Sequence, residues 1–144
     1  MNRAAAERWF EEQCAEAGLK VTPQRCQIYA LLAKAEDHPD AERILELVRK
    51  NIPRVSLDTV YRNLRTLEEH GIIQKVGAIG YRTRFDANTK PHHHFVCTRC
   101  GLIRDFSSEE LDGFVPPDEV TGMGTVDSIY VELRGICRTC RKKT

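Results

Sequence analysis

Nowhere in the chain do about 18 apolar residues follow one another, which excludes a membrane-crossing helix of ordinary composition. The start, Met1-Asn2-Arg3-Ala4, runs straight into charged residues without the apolar stretch of an export signal, so a cytoplasmic protein with no membrane partner is expected. Charge of one sign is missing as well. Lys+Arg number 22 against 21 Asp+Glu, a net charge of +1, and the balance holds within each half: 14 against 13 over residues 1–86 and 8 against 8 over 87–144. Bulk basicity therefore lends nothing to nucleic-acid binding, which must rest on where individual charges sit.

What the chain does have is six cysteines in 144 residues, four of them as two Cys-x-x-Cys pairs, Cys97/Cys100 and Cys137/Cys140. Two thiolate knuckles supply the closed tetrahedral sulfur cage that structural Zn²⁺ prefers, with Zn–S bonds of about 2.3 Å. Disulfides are disfavoured without an export signal. A thioredoxin-like redox pair would want an α/β frame around one motif and gives no reason for a second copy. Cys14 and Cys26 fall on expected helices and read as small core residues. Two domains of roughly 60 to 80 residues are marginal alone, and zinc is the staple a small one needs.

Three short amphipathic helices are expected before any strand. The first spans about Ala4 to Ala17, with Ala6, Phe10, Cys14 and Ala17 on one face and Gly18 as its stop. The second opens at Thr22-Pro23, a hydroxyl cap followed by proline, and turns Ile28, Leu31 and Leu32 inward. Asp40 caps the third, which buries Ile44, Leu45, Leu47 and Val48.

The fourth helix, Leu57 to His70, starts at Ser56 and stops at Gly71. With Val60 as origin at 100° per residue, Leu67, Leu64 and Leu57 fall at about −20°, 40° and 60°, whereas Arg62 falls at about 200° and Arg65 at about 140°. Tyr61, Thr59 and Thr66 occupy the flanks of this outer face. Such groups read base edges and phosphates, although any solvated helix face is polar and Asp58 and Glu69 on the same side repel DNA. Residues 72–76, the Gly-rich stretch 77–80 and residues 81–85 then read as a hairpin. Helices followed by a β-ribbon make a winged helix-turn-helix, whose last helix enters the major groove.

From Asn88 onward the pattern changes to short β-like runs, His93 to Cys97, Leu102 to Phe106 and Ile129 to Leu133, with a helical turn around Ser107 to Phe114. Pro116-Pro117 and Gly122-Met123-Gly124 mark loops. The fold class is α+β, with a winged-helix domain at 1–86 and a small α/β metal-binding domain at 87–144. Thirty-six residues separate Cys100 from Cys137, so the zinc ties the last segment back onto the first hairpin. In a strand His92 and His94 project together and His93 opposite. With Asp86, Asp105 and the more distant His38 they suit a mixed N/O site for Fe²⁺, Mn²⁺ or Zn²⁺, or are simply polar residues beside a knuckle.

Seven motifs stand in the order found in the ferric uptake regulator family: Thr22-Pro23-Gln24-Arg25, His38-Pro39-Asp40-Ala41, Thr59-Val60-Tyr61-Arg62-Asn63-Leu64, Arg84-Phe85-Asp86, His92-His93-His94-Phe95-Val96-Cys97, Cys100-Gly101 and Gly135-Ile136-Cys137. The chain resembles these repressors along nearly its whole length. The resemblance implies a homodimeric regulator that binds palindromic operator DNA, with a C-terminal dimerisation domain. By position, the four cysteines correspond to the structural zinc site. His38, Asp86, His92, His94 and Asp105 correspond to a regulatory Fe²⁺ or Mn²⁺ site whose occupancy closes the two halves. Tyr61 and Arg62 match major-groove contacts, and Lys20 a minor-groove lysine.

Both regulatory carboxylates are aspartates, which resembles the peroxide-sensing branch. There, Fe²⁺ reduces hydrogen peroxide locally and the histidine corresponding to His38 or His92 becomes 2-oxo-histidine, releasing DNA. The alternative is a repressor of metal-uptake genes answering to iron, zinc or manganese. Asp127 stands where many members have a histidine of an additional site, which leaves only a weak set of His93, Asp112 and Asp127. Five protein ligands leave little room for substrate, so a metallohydrolase is disfavoured. A zinc-stabilised interaction module that does not bind DNA is the other competing class.

Overall fold

The computed structural model describes residues 2–76 and 83–143. The chain divides into two compact units, 1–89 and 90–144.

The first unit is built from four capped helices. α1 (Arg3–Ala17) begins where the Asn2 side chain accepts from the Ala5 amide, and ends in a Schellman motif at Gly18: the Leu19 amide donates to the Cys14 carbonyl at 2.8 Å and the Gly18 amide to that of Ala15. Gly18 takes φ +70°, which the absence of a Cβ permits. α2 (Pro23–Lys34) is capped by Thr22, α3 (Ala41–Val48) by Asp40 and α4 (Leu57–Glu69) by Ser56, each side chain accepting from an amide three residues on. Gly71, at φ +69°, ends α4 by the same device, with the Ile72 amide on the Leu67 carbonyl.

The helices bury a shared apolar core centred on Phe10, Cys14, Ile28, Leu32, Ile44, Val48, Val60, Leu64 and Leu67. Ala6, Leu31, Leu45 and Leu57 pack at its edge, and so does Cys26. Burial raises the Cys14 and Cys26 thiols above their ordinary range, which suits inert core residues. Leu47, expected inside, is half-buried. Tyr29 is buried instead and stacks on Phe10 at 4.7 Å and on Trp9 at 5.8 Å, a ring cluster that aliphatic periodicity does not reveal.

After α4, β1 (Gln74–Val76) pairs antiparallel with β2 (Arg84–Asp86), Lys75 facing Phe85. The first arm of the expected hairpin begins two residues later than anticipated, because Ile72 and Ile73 turn into the helical core instead of the ribbon, and the second arm ends one residue later. The Gly-rich turn lies outside the described residues. Helices plus this ribbon give the winged arrangement.

The second unit holds β3 (His93–Cys97), β4 (Ile103–Phe106), α5 (Glu109–Asp112), α6 (Asp118–Thr121), β5 (Glu132–Gly135) and α7 (Arg138–Lys142). The strand order is β4-β3-β5: β3 pairs antiparallel with β4 and parallel with β5. A parallel pair needs a long crossover, and residues between β4 and β5 supply it, with α5 and α6 inside. β5 begins three residues later and ends two later than expected, because its register is set by β3, Cys97 facing Gly135, and not by its own apolar run. α6 occupies part of the stretch expected as loop. Among the described residues no helix is long and apolar enough to cross a membrane.

Candidate metal centres and the exposed face of α4

The parallel pairing of β3 with β5 brings the two knuckles together. Cys97 ends β3, and Cys137 follows β5 and caps α7, its side chain accepting from the Cys140 amide. The four sulfurs lie within 4.8 Å of one another, and Cys100 Sγ is 3.8 Å from Cys137 Sγ. That is the edge of a tetrahedron with Zn–S bonds of about 2.3 Å and is far beyond a disulfide. The amides of Cys100 and Cys137 donate to Cys97 Sγ, at 3.5 and 3.3 Å, and hold that thiol down at about 6. Burial, followed by the neighbouring thiols, pushes Cys140 up to about 12. A cluster already holding one thiolate and shedding its other protons to a cation fits a closed zinc cage.

A second donor group forms on the same sheet. His94 stands opposite Asp105 in the β3–β4 register, with Nε2 3.2 Å from Asp105 Oδ1, while His92 Nε2 is 3.8 Å from Oδ2. The two imidazoles, expected on one side, are 4.6 Å apart and buried. His92 Nδ1 lies 2.6 Å from the Lys90 carbonyl, which can only accept, so Nδ1 carries the proton and the Nε2 lone pair faces Asp105. The His92 electron pair aimed at a carboxylate calls for a cation, and two imidazoles with a carboxylate suit Fe²⁺ or Mn²⁺.

His93 faces the other way. Its Nδ1 accepts from the Val131 amide at 3.2 Å, which puts the proton on Nε2, 2.8 Å from Asp112 Oδ1. Both nitrogens thus have protein partners, and Asp127 is exposed. Among the described residues, no set of three or more metal donors includes His93, Asp112 or Asp127.

In the first unit, the loop before α3 holds His38 at φ +49°, a left-handed backbone rare for a residue with a Cβ, and 3% exposed. Arg84 of β2 holds it there: Nη1 donates to the Asp37 and His38 carbonyls at 3.3 and 3.2 Å, and the Phe85 amide donates to Pro39 at 3.2 Å. His38 Nδ1 then stands 3.7 Å from Asp86 Oδ2, a further imidazole–carboxylate pair. Arg84 lies in a quoted motif, yet its grip on the His38 loop is not legible from spacing.

α4 turns Val60, Leu64 and Leu67 inward and leaves Tyr61 and Arg62 exposed, as helical periodicity predicts. Arg62 Nη2 is 2.6 Å from Asp58 Oδ2, one turn earlier on the same outer face. Arg25 of α2 donates through Nε to Asn63 at 3.1 Å and through Nη1 to the Lys20 carbonyl at 2.7 Å, fastening the exposed Lys20 loop to α4.

Comparison with known proteins agrees with this arrangement. The ferric uptake regulator family model matches residues 16–121. The peroxide-responsive repressors PerR of Staphylococcus epidermidis and Staphylococcus aureus Mu50 are each 32% identical over 128 residues, 89% of this chain and 85% and 86% of theirs. Among solved structures, the Campylobacter jejuni peroxide stress regulator superposes with a TM-score of 0.71 at 29% identity, covering 92% of this chain and 97% of its own. The Helicobacter pylori ferric uptake regulator gives a TM-score of 0.77 at 23% identity over 98% and 95% of the two chains, a likeness of fold. A winged helix unit, a four-cysteine cage and a histidine–aspartate donor set, found together in a chain with these relatives, make this protein a member of the ferric uptake regulator family.

Proposed function

We propose that the protein is a metal-dependent transcriptional repressor that binds palindromic operator DNA as a homodimer in the cytoplasm and is inactivated by peroxide. Residues 1–86 are read as the DNA-binding domain and 87–144 as the dimerisation domain. The observation that carries the reading is the Asp105 carboxylate facing the Nε2 atoms of His92 and His94, electron-pair donors of the kind an exchangeable divalent ion takes. His38 and Asp86 are proposed as the further ligands, and Cys97, Cys100, Cys137 and Cys140 as the holders of a structural Zn²⁺. A ligand shifts a two-state equilibrium only by its differential affinity, so an ion that needs all five donors favours the conformation in which they meet. Tyr61 and Arg62 are assigned to the major groove and Lys20 to the minor groove.

Iron, when bound, would relay the electrons by which one hydrogen peroxide oxidises one imidazole to 2-oxo-histidine, the second peroxide oxygen leaving as water. His38 and His92 are the side chains proposed to take up the oxygen, which removes them as donors. Both carboxylates being aspartates, as the resemblance implies for peroxide sensors, and the 32% identity to two peroxide-responsive repressors support this over a plain iron-, zinc- or manganese-responsive repressor. No role as an enzyme is proposed: five protein donors on one ion would leave little room for a substrate.

The test is to treat Fe²⁺-loaded protein aerobically with low peroxide and analyse its peptides by mass. One added oxygen on the peptides carrying His38 and His92, with loss of operator binding, is expected. Unmodified histidines with operator binding intact return the protein to the metal-uptake reading.

A further inference from the structure

Beyond the five proposed regulatory ligands, a chain of polar contacts runs back from His94 into β5. His94 Nδ1 lies 3.2 Å from Tyr130 Oη, the Tyr130 hydroxyl donates to Glu132 Oε2 at 3.3 Å, and Glu132 Oε1 accepts from Arg134 Nε at 2.5 Å. The parallel β3–β5 register, which sets His94 beside Glu132, creates the alignment. The Tyr130 ring also packs against the imidazole, centroids 5.4 Å apart and tilted by 54°.

A phenol has one proton to give. If Tyr130 gives it to His94 Nδ1, the Glu132 carboxylate faces only the lone pairs of the phenol oxygen, and the His94 proton sits on Nε2, the atom the ion needs. If Tyr130 gives it to Glu132, its oxygen accepts from His94 Nδ1–H and the Nε2 lone pair faces Asp105. Glu132 is 13% exposed and accepts from Arg134 through Oε1, and a carboxylate offers only lone pairs. The second pattern therefore satisfies every contact from His94 Nδ1 to Arg134 and leaves Nε2 and Asp105, 3.2 Å apart, as two electron-pair donors for a cation to join.

We propose that Tyr130, backed by Glu132, is a positioning residue of the regulatory centre: it holds His94 in the Nδ1–H tautomer, so that Nε2 meets a divalent cation with its lone pair already exposed. This rests on the functional reading above and deepens it. Such partners of a metal-binding histidine fix its tautomer and ring orientation and raise its basicity, and their loss weakens metal affinity by roughly 10–100-fold. His92 obtains the same tautomer from the Lys90 carbonyl, so the two imidazoles are set by different devices.

Two measurements on the full-length, zinc-loaded protein test this. In the first, Mn²⁺ is titrated into the parent, Tyr130→Phe and Glu132→Gln, with zinc content measured alongside. Tyr130→Phe keeps the ring and removes only the hydroxyl, and is expected to bind Mn²⁺ roughly 10–100-fold more weakly at one zinc per chain; Glu132→Gln shifts in the same direction. Parent-like Mn²⁺ affinity in Tyr130→Phe overturns the inference alone, whereas a parent that takes up no ion beyond its zinc overturns the functional reading and this inference together. In the second, ¹⁵N shifts of the His94 ring are recorded without regulatory ion. The Nδ1–H pattern is expected in the parent, with Nε2–H gaining population in Tyr130→Phe. An Nε2–H pattern in the parent overturns the assignment.

Discussion

The amide of Cys137 donates to the sulfur of Cys97 at 3.3 Å, forty positions away in sequence, because β3 and β5 run parallel and end side by side. The same contact that closes the cage also stabilises its thiolate. Zinc is thus expected to hold the crossover in place. Cys97→Ala or Cys137→Ala, or strong chelation, should unfold the second unit, since structural zinc contributes on the order of 10 kcal/mol. Loss of tertiary contacts around Phe95 and Leu102, seen by NMR while the α1–α4 resonances persist, is the expected result.

The same cluster makes zinc uptake depend on pH. Cys97 sits at about 6, below the ordinary thiol value, and Cys140 at about 12, above it. Zinc takes thiolates, so above about pH 6 binding need not displace a proton from Cys97, yet must still displace one from Cys140. Affinity should therefore rise with pH throughout the neutral range, and the slope of log K against pH should steepen by about one below pH 6, where Cys97 adds its own proton to those released. Competition with a chromophoric chelator across pH 5 to about 8 measures it.

On α4, Arg62 is expected to read a base edge. Arg62→Ala should cost roughly 1–3 kcal/mol of operator binding and relax base preference at one position, whereas Lys20→Ala should weaken binding evenly across sequences and lower the salt slope by about one. The Arg62–Asp58 pair is highly exposed and Lys20 is exposed as well, so neither change should alter thermal stability appreciably. Fluorescence anisotropy at several salt concentrations separates the two behaviours.

Arg84 holds His38 in its left-handed conformation by two carbonyl contacts. Arg84→Ala should let that loop relax and weaken Mn²⁺ uptake by roughly 10–100-fold, as for other groups that orient a ligand, with zinc content unchanged. Calorimetric titration with metal analysis reads both quantities.

At Gly71, φ +69° closes α4 with open space where a Cβ would stand. Gly71→Ala should cost about 1–2 kcal/mol through backbone strain alone, without a steric clash. Denaturant unfolding of the variant should show a lower midpoint at unchanged slope.

Local chemistry carried much of this protein. Asn2 apart, the caps at Thr22, Asp40 and Ser56, the glycine stops and the outward face of Arg62 are all legible within one or two turns of helix, because a cap or a periodic face is decided by neighbours in sequence. The Cys-x-x-Cys spacing announces its chemistry for the same reason: two thiolates three residues apart reach one ion wherever the loop lies. The histidine alternation likewise follows from the strand's period of two.

The cysteine spacing brought the last segment back to the first hairpin, but the chain alone could not give the direction or register of its pairing with β3. β5 was misplaced because its own residues, half-buried or exposed, carry little periodic signal and take their register from β3. Asp105 meets His94, Tyr130 meets His94 and Arg84 meets the His38 loop only through pairings between distant segments, whose register is set by burial of the whole sheet or core. Sequence thus determined which donors exist and on which face each stands, while tertiary structure decided which donors share a site, since that follows from long-range strand pairing that no local pattern encodes.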